Sequence, residues 1–178
     1  MAGLKGTKTE ANLKAAFAGE SQARNKYTYY ASKAQKEGYR QIANIFTETA
    51  ANEKEHAELW FEYFHGIGTT VDNLADAAAG EREEWTSMYK RMAEEATAEG
   101  FKEIAKQFQL VGKVEKAHEE RYLKLKSNIE KGLVFERSAP VTWKCGNCGY
   151  KPKSKKAPAE CPACKHPLAY FEIEENKF

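Results

Sequence analysis

Residues 1–132 of the 178-residue chain contain no proline and no cysteine. All five prolines (Pro140, Pro152, Pro158, Pro162, Pro167) and all four cysteines (Cys145, Cys148, Cys161, Cys164) come after residue 139. Without proline, nothing forces a break in long helices, and without cysteine no disulfide framework can hold this part together. There is also no apolar run long enough to suggest a membrane span. Met1 to Leu13 lacks the apolar core of a secretory signal, so a cytoplasmic location is expected. Charge of one sign is missing as well: the net charge is +2, with 20 Lys+Arg against 21 Asp+Glu up to residue 132 and 8 against 5 after it. That balance excludes an electrostatic nucleic-acid binder, which needs a clustered cationic face. The one basic cluster, Lys151 to Lys156, reads as a solvated loop.

What the first part does contain is Ala, Glu and Lys at helical spacing, and a duplication. Glu37 to Phe46 and Glu99 to Phe108 match across an offset of 62 residues, and the same offset carries Glu53-Lys54-Glu55-His56 onto Glu115-Lys116-Ala117-His118. Upstream, Ala18-Gly19-Glu20 recurs as Ala79-Gly80-Glu81 with a slip of one residue. Two copies are too few for a solenoid, so the repeat unit is a helix hairpin. Period and breakers predict helices from Lys8 to Glu37, from Tyr39 to His65, from just after Asp72 or Asp76 to Glu99, and on to Lys131, with Gly38, Gly66, Gly100 and Gly132 at their ends.

Spacing of three and four puts Ile42, Phe46, Thr49, Glu53, His56, Trp60 and Tyr63 on one stripe of the second helix. The fourth gives Ile104, Phe108, Val111, Glu115, His118, Tyr122, Leu125 and Ile129. A carboxylate and an imidazole inside each apolar stripe need compensation, because an unpaired buried charge costs several kcal/mol, of order ~5. Glu-x-x-His places two ligands one turn apart on one face, and two such pairs can hold two metal ions if the other helices add inward glutamates. Helix one offers Glu20; helix three offers Glu81 and Glu84. The candidate set is Glu20, Glu53, His56, Glu81, Glu84, Glu115 and His118. Five carboxylates suit hard, oxygen-loving ions, iron first and manganese behind it. Glu84 falls opposite Ala23, so the set is asymmetric, and Glu55, Glu83, Glu119 and Glu120 fall off the inward phase and read as solvated.

The last 45 or so residues carry C-x2-C-x12-C-x2-C: Cys145, Cys148, Cys161 and Cys164. So short a segment buries little core, and a metal would supply the missing stability. Spacing alone fits a structural zinc ribbon or a single iron, zinc being the commoner case. An attached di-metal site, which needs an electron supply, favours iron. Trp143, Tyr150, Tyr170 and Phe171 are candidate core aromatics, and His166 reads as a turn residue.

The run Ala16 to Tyr27 (AFAGESQARNKY), with Glu53-x-x-His56, Gly80-Glu81-x-x-Glu84, Glu115-x-x-His118 and the cysteine pairs, resembles the rubrerythrins. The resemblance implies a mainly α fold: a ferritin-like four-helix bundle over residues 1–135, followed by a small rubredoxin-like β/loop metal domain over 140–178. It implies a di-iron site on Glu20, Glu53, Glu81, Glu84, Glu115 and His118, with His56 and Glu84 exchanging at one iron, and one further iron on the four cysteines. Tyr27 and Tyr89 would hydrogen-bond to ligands. The implied activity is reduction of hydrogen peroxide to water, in oxidative-stress protection, with electrons from a reductase or rubredoxin linked to NAD(P)H. Ferroxidase or iron handling is the alternative, and a zinc-bearing scaffold is a third reading.

One departure concerns assembly. The stretch between His65 and Asp76 is short for a crossover between helices two and three, which run parallel in such a bundle. Either helix three starts late behind a stretched crossover, or the protein is a homodimer that swaps hairpins.

Overall fold

The structure is a computed structural model and describes residues 3–175. It divides into two compact units, the first ending at Ile67 and the second beginning at Gly68.

The first unit is a hairpin of α1 (Lys8–Lys36) and α2 (Arg40–Phe64). Thr7 caps α1 by accepting from the Glu10 N–H at 3.1 Å, and Glu10 returns an acceptor to the Gly6 N–H at 2.6 Å. Gly38 turns the chain at φ +85°, with the Tyr39 N–H reaching the Ala34 carbonyl at 2.9 Å. The seam is built of alanine: Ala31 and Ala34 of α1 and Ala43, Ala50 and Ala57 of α2 are the buried positions. Small residues let the two backbones approach closely, and the bulky side chains are then left beside the seam.

The second unit opens with α3 (Thr70–Glu83), started by a full capping box in which Thr69 and Asp72 satisfy each other's backbone N–H. A single π-helical turn, Glu84–Met88, joins α3 to α4 (Tyr89–Ala98), and Gly100 at φ +87° leads into α5 (Lys102–Glu130). The π-turn accounts for the slip in the repeat. The offset is 61 at Glu20 and Glu81 but 62 at Tyr27 and Tyr89, and a π-turn inserts one residue without ending the helix.

Two expectations need correcting. Helix three begins at Thr70, before either Asp72 or Asp76, because the capping box fixes its start. The stripes drawn as a core are in large part exposed: Ile42 keeps 49% of its surface, Tyr63 63%, Ile104 45% and Leu125 45%. The alanine seams bury the other face.

Beyond α5 a three-stranded antiparallel sheet, in the order β2-β1-β3, is formed by β1 (Glu136–Cys145), β2 (Lys153–Lys156) and β3 (Phe171–Ile173). Its core is Trp143, Cys145, Ala157, Cys161 and Phe171, with Trp143 wholly buried and its indole N–H donating to the Ser154 carbonyl at 3.1 Å. Tyr150 and Tyr170 are exposed, so only two of the four aromatics belong to the core. The Lys151–Lys156 stretch, expected as a loop, instead supplies strand β2, and its lysines pair with acids at Lys151–Glu174 and Lys156–Glu136.

Candidate functional site

In the first unit, Glu20 of α1 and Glu53 and His56 of α2 bring one donor atom each within 4.8 Å of one another. Nδ1 of His56 lies 2.9 Å from Glu53 and 4.0 Å from Glu20. In the second unit the same arrangement recurs on Glu81, Glu115 and His118, with His118 Nδ1 2.8 Å from Glu115 and 3.5 Å from Glu81. The helical spacing of three is responsible, since it stacks each Glu and His one turn apart. In both clusters Nδ1 faces the carboxylates, so the tautomer with its proton on Nε2 presents a lone pair to a metal. The first cluster is more open, His56 having 55% of its side chain exposed against 34% for His118.

Electrostatics distinguish the second cluster. Burial, followed by a hydrogen bond to Glu115, raises the Glu81 pKa. Burial also raises the pKa of Tyr89, and the charges of Glu84, Glu115 and Glu81 add to the effect. Tyr89 thus stands near all three carboxylates with its phenol protonated. Glu84 is half-buried in the π-turn and lies outside the three-residue cluster. Tyr27 packs its ring against Phe46 at 6.1 Å and Tyr30 at 6.3 Å, so a packing role is observed for it.

Glu119 is a correction. Expected on a solvated face, it is 6% exposed, accepting from the Trp85 indole N–H at 2.5 Å and from Arg82 at 3.4 Å. The cover comes from another element, Trp85 lying in the π-turn and Arg82 just before it, which the spacing along α5 cannot report. This clamp ties the π-turn to α5 one residue after His118. Glu119→Ala would leave the half-buried indole N–H without its acceptor. A loss of about 1–3 kcal/mol in urea unfolding is expected, and an unchanged midpoint would deny the clamp a structural role.

The four cysteines form the third cluster, all sulfurs within 4.8 Å. Cys145–Cys164 and Cys148–Cys161 are each 3.7 Å apart. A tetrahedron with metal–sulfur bonds of about 2.3 Å has edges of about 3.8 Å, so the set fits one four-coordinate ion. Each pair sits on a matching knuckle: the Gly149 N–H reaches the Cys145 carbonyl and the Lys165 N–H the Cys161 carbonyl, both at 2.8 Å. Backbone N–H groups of Tyr150 and His166 point at the sulfurs of Cys148 and Cys164. The His166 N–H brings the Cys164 thiol down to about 6. For Cys148 the Tyr150 N–H acts downward, but the neighbouring thiols of Cys164, Cys161 and Cys145, together with burial, push it up to about 12. One thiolate thus forms readily while its neighbour holds a proton, and a cation would release the rest. His166 remains a turn residue, its Nδ1 3.1 Å from the Cys164 carbonyl.

A family model described as rubrerythrin matches residues 11–126, and one described as the rubrerythrin, rubredoxin-like domain matches residues 143–172. The chain belongs to the rubrerythrin family. It is 55% identical to a rubrerythrin of Porphyromonas gingivalis, over 98% of this chain and 94% of that one. It is 50% identical to rubrerythrin-1 of Clostridium acetobutylicum over the whole of both chains, in an alignment of 195 positions. Among solved structures, a partially reduced nigerythrin is 31% identical over 98% of this chain and 91% of its own, with a TM-score of 0.38. As a rubrerythrin, the chain combines helical ferritin-like and rubredoxin-like modules and is built for a di-iron site and an Fe(Cys)4 site. The family is one of oxidoreductases, and its rubredoxin-like domain points to redox partners. Among the described residues, no helix is long and apolar enough to cross a membrane.

Proposed function

We propose that this chain is a non-haem di-iron peroxidase that reduces hydrogen peroxide to water with electrons delivered through its Fe(Cys)4 centre. The observation that supports this most is the pairing in one chain of two Glu, Glu, His clusters with a four-thiolate tetrahedron. Iron storage would need no dedicated electron inlet, so ferroxidase activity is the second reading. The modules on this reading are residues 1–135 and 140–178.

Glu20, Glu53, Glu81, Glu84, Glu115, His56 and His118 would hold the two bundle irons, and Cys145, Cys148, Cys161 and Cys164 the third. When bound, the two ferrous ions supply two electrons and a Lewis-acid anchor for peroxide. The half-reaction takes up two electrons and two protons for each peroxide cleaved to two waters, so the site must also deliver protons. Tyr89 keeps its phenolic proton beside Glu84, Glu115 and Glu81 and can offer it as a hydrogen bond to an oxygen held there, while the transferred protons come from solvent. On this reading Glu84, outside the three-residue cluster, and His56, the most exposed member of its own, are the two residues that exchange at one iron. Electron supply would come from a separate NAD(P)H-linked reductase or a rubredoxin, in the cytoplasm.

The test compares turnover by iron-loaded protein with peroxide plus reductant against oxidation of added ferrous iron by oxygen. Faster consumption of peroxide supports the peroxidase reading, and faster ferrous oxidation supports storage. Glu84→Ala should slow peroxide turnover by more than about 100-fold, as loss of a direct ligand, while the colour of the cysteine site persists. An unchanged rate would remove Glu84 from the mechanism.

A further inference from the structure

Behind its metal-facing cluster the second hairpin carries a layer of side chains that the first hairpin lacks. One step along an α-helix is a turn of about 100°, so the residue after each candidate ligand stands on the flank beside the metal face. In the second hairpin these residues are Arg82 after Glu81, Trp85 after Glu84, Lys116 after Glu115 and Glu119 after His118. All four meet. Glu119, with 7% of its side chain exposed, accepts from the Trp85 indole N–H at 2.5 Å and from Arg82 at 3.4 Å. The Lys116 ammonium lies 5.4 Å from the centre of the Trp85 ring. We infer that Glu119 is a positioning residue of the di-metal site: through Trp85 and its own backbone it holds Glu84 and His118 at a fixed angle to the metal. The inference rests on the di-metal reading of the clusters above.

The π-turn is where such support matters most. π-Helical geometry is rare and survives as single turns inside α-helices. Glu84 is the first residue of this one and Trp85 the second, so a bond from Trp85 to α5 fixes the backbone from which Glu84 projects. The Thr86 hydroxyl braces the same turn from within, donating to the Arg82 carbonyl at 2.6 Å. At the other end of the bond, Glu119 follows His118, whose Nδ1 faces Glu115 and Glu81. A hydrogen bond to a carboxylate is among the stronger kinds, and here it joins the neighbours of two ligands. Exchange at Glu84 is then a rotation of its side chain about a fixed Cα.

The duplication supplies the comparison. The first-hairpin equivalents of Arg82, Trp85, Lys116 and Glu119 are Ser21, Arg24, Lys54 and Ala57. Alanine offers no acceptor, and Lys54 pairs with Glu55 and Glu58 of its own helix. Without a clamp, these four residues line an open hollow of about 370 Å3. The second hairpin's own hollow, of about 330 Å3, lies further along, against Tyr89 and Phe108. His56, next to Ala57 in the chain, has 55% of its side chain exposed, against 34% for His118. The clamp thus makes the two halves unequal, the second hairpin firm and the first loose.

Anaerobic titration of the full chain with ferrous iron tests this, with Mössbauer spectra of the reduced protein as a second readout. Glu119→Leu keeps the buried bulk and removes the acceptor, whereas Glu119→Gln keeps an oxygen for the indole N–H. Glu119→Leu should weaken binding at one of the two bundle irons by about 10–100-fold and broaden one of the bundle's ferrous doublets, with the Fe(Cys)4 signal unchanged. Glu119→Gln should recover most of the affinity and the narrow lines. Thr69→Ala removes the cap of α3, loosening the same hairpin away from the metal, and should leave both readouts at wild type. Wild-type affinity and line widths in Glu119→Leu, an equal loss in Glu119→Gln, or the same loss in Thr69→Ala would each overturn the inference. If Glu119→Leu fails to fold, judged by far-UV circular dichroism, Trp85→Phe removes the same hydrogen bond from the donor side and carries the test. Wild-type protein that binds ferrous iron only at its cysteines would instead overturn the di-metal reading, and the inference with it.

Discussion

Replacing Glu115 with alanine is expected to cut peroxide turnover by more than about 100-fold and to leave the Fe(Cys)4 centre untouched. Losing a partner beyond the metal's own ligands costs metal affinity or activity about 10–100-fold, and a direct ligand costs more. Glu115 lies at the centre of its cluster: it holds His118 at 2.8 Å and shares a hydrogen bond with Glu81. Its removal takes away a carboxylate and also the group that orients the imidazole. Alanine is the better helix former, so α5 should persist. Metal analysis with circular dichroism checks this outcome. Full bundle iron and wild-type turnover in Glu115→Ala would show that the cluster is not the metal site.

Cys161→Ser should do the reverse. Cys161 is wholly buried, and its sulfur lies 3.7 Å from that of Cys148, so it belongs at once to the sheet's core and to the thiolate tetrahedron. In so small a module the metal is a large share of the stability, with structural four-ligand sites binding by about 10–16 kcal/mol. Loss of the iron should therefore unfold the segment from β1 to β3, while α1 to α5 keep their helicity. Reductase-driven peroxide turnover should fall to background even though the bundle irons remain. Hydrogen exchange resolves the two regions. Protection of the Trp143 indole and β1 amides equal to wild type would contradict the metal's structural role.

Helices, their glycine ends and the residues that gather in the three side-chain clusters, Glu84 excepted, were legible in the sequence because each rests on a strict spacing. Glu53 with His56 and Glu115 with His118 obey the helical turn, and the cysteine pairs obey a knuckle whose two halves superpose in sequence. The start of α3 was missed because the capping residue is Thr69, upstream of the aspartates that draw attention. Glu119 was placed in solvent because its cover, Arg82 and Trp85, comes from the end of α3 and the π-turn at Glu84–Met88, and the phase of its own helix carries no sign of that. The stripes drew attention to Ile42 and Leu125 as core, yet a hairpin closed by alanines leaves them exposed. Periodicity reports which residues share a face, but not which of two faces the alanine seam buries.

The central claim is that electrons pass from the four-cysteine iron to the bundle and on to peroxide. Fully reduced, iron-loaded protein is mixed without oxygen with one equivalent of peroxide in a stopped-flow instrument, and the ferric Fe(Cys)4 colour is followed, with a parallel run using dissolved oxygen. The account expects the colour to return much faster with peroxide, and to do so only when Glu115 is intact. Equal rates with the two oxidants, or an unchanged rate in Glu115→Ala, would contradict it.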